Sequence, residues 1–182
     1  MKKILAVLLL VFVPSYCFAV FPDLNKEQVE EAITYGKELS NKLGQNSDWT
    51  LRSLDSAVWV ELTTPFSALA QLARDYSLQS KKIREKDIKN AIAPYKNRLI
   101  FNYYFYDLGR RFATSAGTDY QAMIRTSDNR IVYPFRGGTV GGLRLEFTFS
   151  LAKIDPDSSI TFIIREPSGY EHEFPFDLSK IK

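Results

Sequence analysis

The hydrophobic period of this chain changes at residue 98, and that change constrains the fold more than any other feature. Up to there, apolar residues recur at three- and four-residue spacing; beyond it they alternate. The first period lines one stripe of a helix, whereas the second lines one face of a strand. An α+β chain follows, with a mainly helical part over residues 25–95 and a β-rich part over residues 98–178.

In the helical part, Asn25 with Gln28 has the N-x-x-Q form of a capping box. Val29, Ala32, Ile33, Gly36, Leu39 and Leu43 make an apolar stripe after it, and Gly44 stands where a glycine ends a helix. Residues 57–64 are rich in β-branched and aromatic side chains and predict a strand, with Val58, Val60 and Leu62 on one face. Thr64 and Pro65 then suit the cap and first position of a second helix carrying Phe66, Leu69, Ala70, Ala73 and Tyr76. The charged stretch 81–89 leads into a short helix that must end before Pro94.

Beyond the switch, Leu99, Phe101, Tyr103 and Phe105 alternate with Ile100, Asn102, Tyr104 and Tyr106. Residues 121–125 and 131–135 flank a turn at 127–130. Leu143, Leu145, Phe147, Phe149 and Leu151 face away from Arg144, Glu146, Thr148 and Ser150, and a last hairpin joins 160–164 to 171–176 around Pro167-Ser168-Gly169. About seven strands with short turns predict an antiparallel, immunoglobulin-like β-sandwich. The strand at 99–106 has large residues on both faces, so the N-terminal helix and the helical insertion after the first strand are expected to cover its outer face.

The N-terminus bears on compartment. Lys2 and Lys3 precede an unbroken apolar run over residues 4–13, Pro14 and Ser15 break it, and Cys17-Phe18-Ala19 sets small residues three and one before a cut after Ala19. This is the layout of a secretory signal peptide over residues 1–19, which leaves one domain over 20–182 in the periplasm or outside the cell. The run is too short for a membrane span, which needs about 20 residues. Cys17 is the only cysteine, and Tyr16 and Pro14 fit a lipid-attachment motif poorly, so a lipid-anchored envelope protein is the alternative. Removal of the leader lowers Lys plus Arg from 24 to 22 against 21 Asp plus Glu, a near-neutral balance that argues against nucleic acid as partner. It also leaves no thiol and no disulfide.

Few chemistries fit what remains. His172 is the only histidine, which disfavours a zinc site or a Ser-His-Asp triad, and its surroundings suggest a solvent-facing strand position. Asp155, Asp157 and Glu166 imitate an EF-hand spacing, but Ile160 stands where the loop needs glycine, so the aspartates read as turn residues. Arg136-Gly-Gly-Thr-Val-Gly-Gly-Leu-Arg144 reads as a flexible connection whose glycine backbone, flanked by Arg136 and Arg144, could cradle an anion. Tyr104 and Tyr106 are candidates for an aromatic surface, with Asn102 beside them as a sign of exposure.

No cofactor is implied. The expected function is an exported, non-enzymatic binding or structural module of the bacterial cell envelope, with an envelope protein or a polysaccharide as partner. The alternative is a secreted hydrolase using carboxylates such as Glu171 or Glu173, two residues apart on one strand face.

Overall fold

The computed structural model describes residues 23–40, 49–53, 58–105, 119–140 and 144–181. The proposed leader, Gly44, Tyr106 and Leu143 lie outside the described residues. Among those described are three α-helices and nine strands in two antiparallel sheets, a mixed α+β fold.

Alternation after residue 98 builds the core as expected. Strand β3 (Arg98–Phe105) is the middle of a five-stranded sheet, between β2 (Val58–Thr63) and β7 (Arg144–Ser150). β1 (Thr50–Arg52) lies outside β2, and β6 (Arg136–Thr139) lies outside β7, giving the order β1-β2-β3-β7-β6. The second sheet runs β5 (Ile131–Val132), β4 (Gln121–Thr126), β8 (Ser159–Arg165), β9 (Glu171–Asp177). Their inner faces meet through rings. Phe101 stacks on Phe162 at 4.4 Å between centroids, Phe149 meets Phe162 edge-on, and Phe101 touches Phe176. Aromatic pairs of this kind contribute about 0.5–1.5 kcal/mol each beyond the area they bury.

Both predicted caps form. Asn25 N–H donates to Gln28 Oε1 at 2.8 Å and Gln28 N–H returns to Asn25 Oδ1 at 2.9 Å, opening α1 (Lys26–Ser40). At α2 (Pro65–Leu78), Ser67 N–H donates to Thr64 Oγ1 at 3.1 Å, with Pro65 in the first turn. The two helices cross very closely. A Cβ added at Gly36 would stand 2.1 Å from the Ala70 carbonyl oxygen, so glycine is the residue this contact permits. α3 (Glu85–Ile92) and a 3-10 turn, Ala93–Tyr95, return the chain to β3.

At the outer face of β3 the insertion is present, with Ser67, Ala68 and Gln71 of α2 beside Thr63, whereas the N-terminal helix α1 packs on α2. Thr63, Ile100, Asn102 and Thr148 point to that face and are all buried.

Three expectations are corrected. Residues 136–139 are not a loop: they pair with β7 as an edge strand, Arg136 opposite Thr148 and Gly138 opposite Glu146. Gly137 is needed there, because a Cβ would come within 2.7 Å of the Phe147 ring. The extended segment expected over 131–135 pairs with β4 only at Ile131 and Val132, its Phe135 N–H turns to β7 and donates to the Thr148 carbonyl at 3.0 Å, and the Tyr133 and Phe135 side chains are exposed, at 67% and 59%. His172 is not solvent-facing either. It is 6% exposed on the same face of β9 as Phe174 and Phe176, with Nε2 2.9 Å from Glu166 Oε1.

Candidate functional site

β2, β3 and β7 lie side by side, so their outward residues form rows across the sheet. One row is Trp59, Tyr104 and Arg144; the next is Glu61, Asn102 and Glu146; the third is Thr63, Ile100 and Thr148. The first two rows are half-buried except for Asn102, and the third is buried. α2, α3 and the Ala93–Tyr95 turn stand over the third row, and a groove of about 340 Å³ opens between them and the sheet. Its floor is Glu61, Thr63, Asn102, Tyr104 and Arg144; Ser67, Gln71, Asn90 and Tyr95 are among its walls.

The polar groups of the floor are linked. Tyr104 Oη donates to Glu61 Oε2 at 3.1 Å, and the Tyr104 ring stacks on Trp59 at 4.8 Å with 6° between planes. Burial, and after it the Glu61 carboxylate, hold the Tyr104 phenol above its ordinary value, so it stays a donor to Glu61. Burial and then the Glu146 charge raise the Tyr95 phenol in the same sense. Arg144 Nη2 lies 3.9 Å from Glu146 Oε2, a loose pair.

Asn102 breaks the pattern of satisfied polar groups. It is 7% exposed, and Nδ2 donates to Thr63 Oγ1 at 3.1 Å, yet Oδ1 has no partner. A buried unsatisfied acceptor costs about 1–3 kcal/mol.

The sequence candidates divide. Tyr104 and Arg144 are register partners and share the groove floor. Arg136 is exposed on the edge strand β6, outside the groove lining. Tyr106 lies outside the described residues. Asn102 signals burial, not the exposure expected from its polarity. Glu61, Glu146, Gln71, Asn90 and Tyr95 were not singled out. Glu61 and Glu146 could have been seen as outward-facing members of alternating strands, but nothing in the sequence says that both strands flank β3.

Other candidates do not assemble a site. Glu171 and Glu173 are surface carboxylates held by Arg165 and Arg125, with Arg125 Nη2 donating to Glu173 Oε2 at 2.7 Å. Asp155 accepts from its own turn, Asp157 N–H to Oδ1 at 3.0 Å. A second hollow of about 420 Å³ lies by Leu51, Pro175 and Ile181, where the charged Asp177 and Lys180 already pair at 2.8 Å. Among the described residues no three His, Cys, Asp or Glu side chains gather as a metal site, and no helix is long and apolar enough to cross a membrane.

No family model and no curated protein matches the chain. A solved structure, of a protein of unknown function from Burkholderia pseudomallei, is similar at a TM-score of 0.48 and 12% identity, over 84% of this chain and 86% of that one.

Proposed function

We propose that this chain is an exported, non-enzymatic binding module of the bacterial cell envelope, and that it takes its ligand in the groove over the five-stranded sheet. The observation that carries this reading is the groove itself, a concave site of about 340 Å³ where Glu61, Asn102, Tyr104 and Arg144 of three neighbouring strands meet Ser67, Gln71, Asn90 and Tyr95. The leader layout of residues 1–19 supports export.

The strand order also supports an immunoglobulin-like topology. Taken in chain order from β2, the sheets β2-β3-β7-β6 and β5-β4-β8-β9 correspond to A-B-E-D and C′-C-F-G, the first order and the C-F-G core of the second being those of immunoglobulin constant-type domains. α2 and α3 would then be an insertion between strands A and B. The hydrolase alternative has less support. Glu61 and Glu146 stand on one sheet face with Asn102 between them, and not on opposing walls of a cleft.

Thermal melts test the groove. A low-molecular-weight extract of the envelope should raise the melting temperature of the wild type and leave Arg144→Ala, altered on the groove floor, unmoved. Equal shifts in both proteins, or none in either, overturn the assignment. Intact mass of the protein from fractionated cells tests export: a soluble species beginning at Val20 is expected, against an acylated membrane species beginning at Cys17.

A further inference from the structure

We infer that the open edge of β6 takes an extended peptide with carboxylate side chains as an added strand. This surface is separate from the groove, which no residue of β6 lines. β6 ends the five-stranded sheet, and among the described residues no strand pairs with its far side. Val140 N–H donates to the Arg144 carbonyl at 2.9 Å, just past the end of the β6–β7 ladder. Hydrogen bonding to one neighbour alternates along an antiparallel strand. Gly138 therefore bonds to β7 opposite Glu146, and Gly137 and Thr139 turn their N–H and C=O groups to the open side. Exposure agrees, because Gly137 is exposed and a glycine has only backbone to expose. A Cβ added at Gly138 would meet nothing within 4 Å, so the outer face beside the edge is open too.

The other sheet edges are blunted. β9 carries Pro175, which has no N–H to give an added strand. β5 has two residues and β1 three, too short for much of a ladder. β6 has four, and the Phe135 N–H bond to Thr148 fixes the chain against β7 one residue earlier.

Charge selects the occupant. Ile100 and Arg136 both pair with Thr148, one from each side, so Arg136 points to the outer face of the sheet. Arg98 stands two residues before Ile100 on β3 and points there as well. Both are exposed, and among the described residues neither meets a carboxylate, whereas Arg125, Arg144 and Arg165 each stand by a glutamate. The Phe135 ring, more than half exposed, has its centroid 5.7 Å from the Arg98 guanidinium and precedes Arg136 in the chain. The edge is thus bordered by a cationic and aromatic surface. A strand added beside β6 sets alternate side chains on that face, opposite Arg136 and Gly138. Carboxylates there meet guanidinium groups that lack them. A phosphate or a sugar could use the arginines but not the alternating N–H and C=O groups, which another extended backbone matches. A second copy of this chain fits worse. β6 laid against β6 would bring two Arg136 and two Arg98 side chains to one face, and β6 carries no carboxylate of its own.

The test is a nuclear magnetic resonance titration of the full chain, expressed in an exporting host. The probe is a short capped peptide of alternating valine and glutamate. With its glutamates on the outer face, its valine amides point at Gly137 and Thr139. Saturable shifts at the Gly137, Thr139 and Phe135 amides are expected. N-methylation of the valines should raise Kd about tenfold or more, and N-methylation of the glutamates should leave it within about twofold. Arg136→Glu, or lysine for glutamate in the probe, should each raise Kd about fivefold. Equal losses from the two methylated probes overturn strand addition. Binding of the lysine probe as tight as the glutamate probe, or binding unmoved by Arg136→Glu, overturns the acidic occupant. Gly137 shifts that grow with protein concentration in the absence of peptide give the edge to a second copy and overturn the proposal. Silence from the glutamate probe overturns it as well.

Discussion

Asn102→Val tests what a buried acceptor without a partner costs this fold. The substitution removes a buried acceptor without a partner, which relieves about 1–3 kcal/mol. It also takes the Nδ2 donor from Thr63 Oγ1 and leaves that buried oxygen unpartnered, at a cost of about 1–3 kcal/mol. Valine is the better strand residue, on a scale whose whole span is about 1 kcal/mol, and β3 is interior. The first two effects cancel at the centres of their ranges, which leaves a gain of up to about 1 kcal/mol. For a chain of this size each kcal/mol moves the melting temperature by about 2–4 °C, so a rise of up to about 4 °C is expected. Calorimetry or a urea melt at neutral pH reads it directly. A melting temperature lowered by several degrees would mean that Asn102 supports the sheet through its bond to Thr63, and would refute the reasoning that its Oδ1 is a cost.

Gly36→Ala should destabilise although alanine is the better helix former by about 1 kcal/mol. The new methyl meets the Ala70 carbonyl at 2.1 Å, and forcing α1 off α2 costs about 1–3 kcal/mol, so a urea midpoint at or above the wild type would contradict the crossing. Phe101→Ala removes the ring that joins three aromatics between the sheets and should cost about 3–5 kcal/mol in the same melts. His172→Ala takes the Nε2 partner from the buried Glu166 carboxyl, which keeps only the longer contacts from Tyr103 and Ser168, and should cost about 1–3 kcal/mol, with no measurable loss arguing that the pair is not formed. Asp128 is held down to about 2, from 3.8, by the Thr126 hydroxyl and then by Arg130. Its folded pKa is the lower one, so its stabilisation is present above about pH 4 and lost as pH falls towards 2. Asp128→Asn should therefore weaken the hairpin at neutral pH, with the difference shrinking between about pH 4 and pH 2, as read from Thr126 and Arg130 amide shifts.

The parts of the fold that sequence made legible are those with a local period or a local cap. Leu145, Phe147 and Phe149 announce their face by alternation, and Asn25-Gln28 and Thr64-Pro65 announce helix starts by spacing alone. β6 was invisible because an edge strand of Arg-Gly-Gly-Thr has no apolar face; its pairing comes from the length of β7. His172 was misjudged from residue type, although its parity with Phe174 and Phe176 places it inward. The groove was half legible. Tyr104 and Arg144 could be named, but their adjacency needs the pairing of β3 with β7, a contact between segments some forty residues apart. Asn102 was read in the wrong sense, since what buries it is a roof that no local pattern foretells.

That roof also ties the chain together. α2, α3 and the turn at 93–95 all lie between two strands that are neighbours in the same sheet. The ladder between β2 and β3 makes no use of the helices, but α2 sends Phe66, Leu69 and Ala70 into the core and meets Gly36 of α1. The roof is thus inserted at a single point in the chain and anchored at several. A replacement segment would have to keep the buried face of α2 and could vary only the face it turns to the groove.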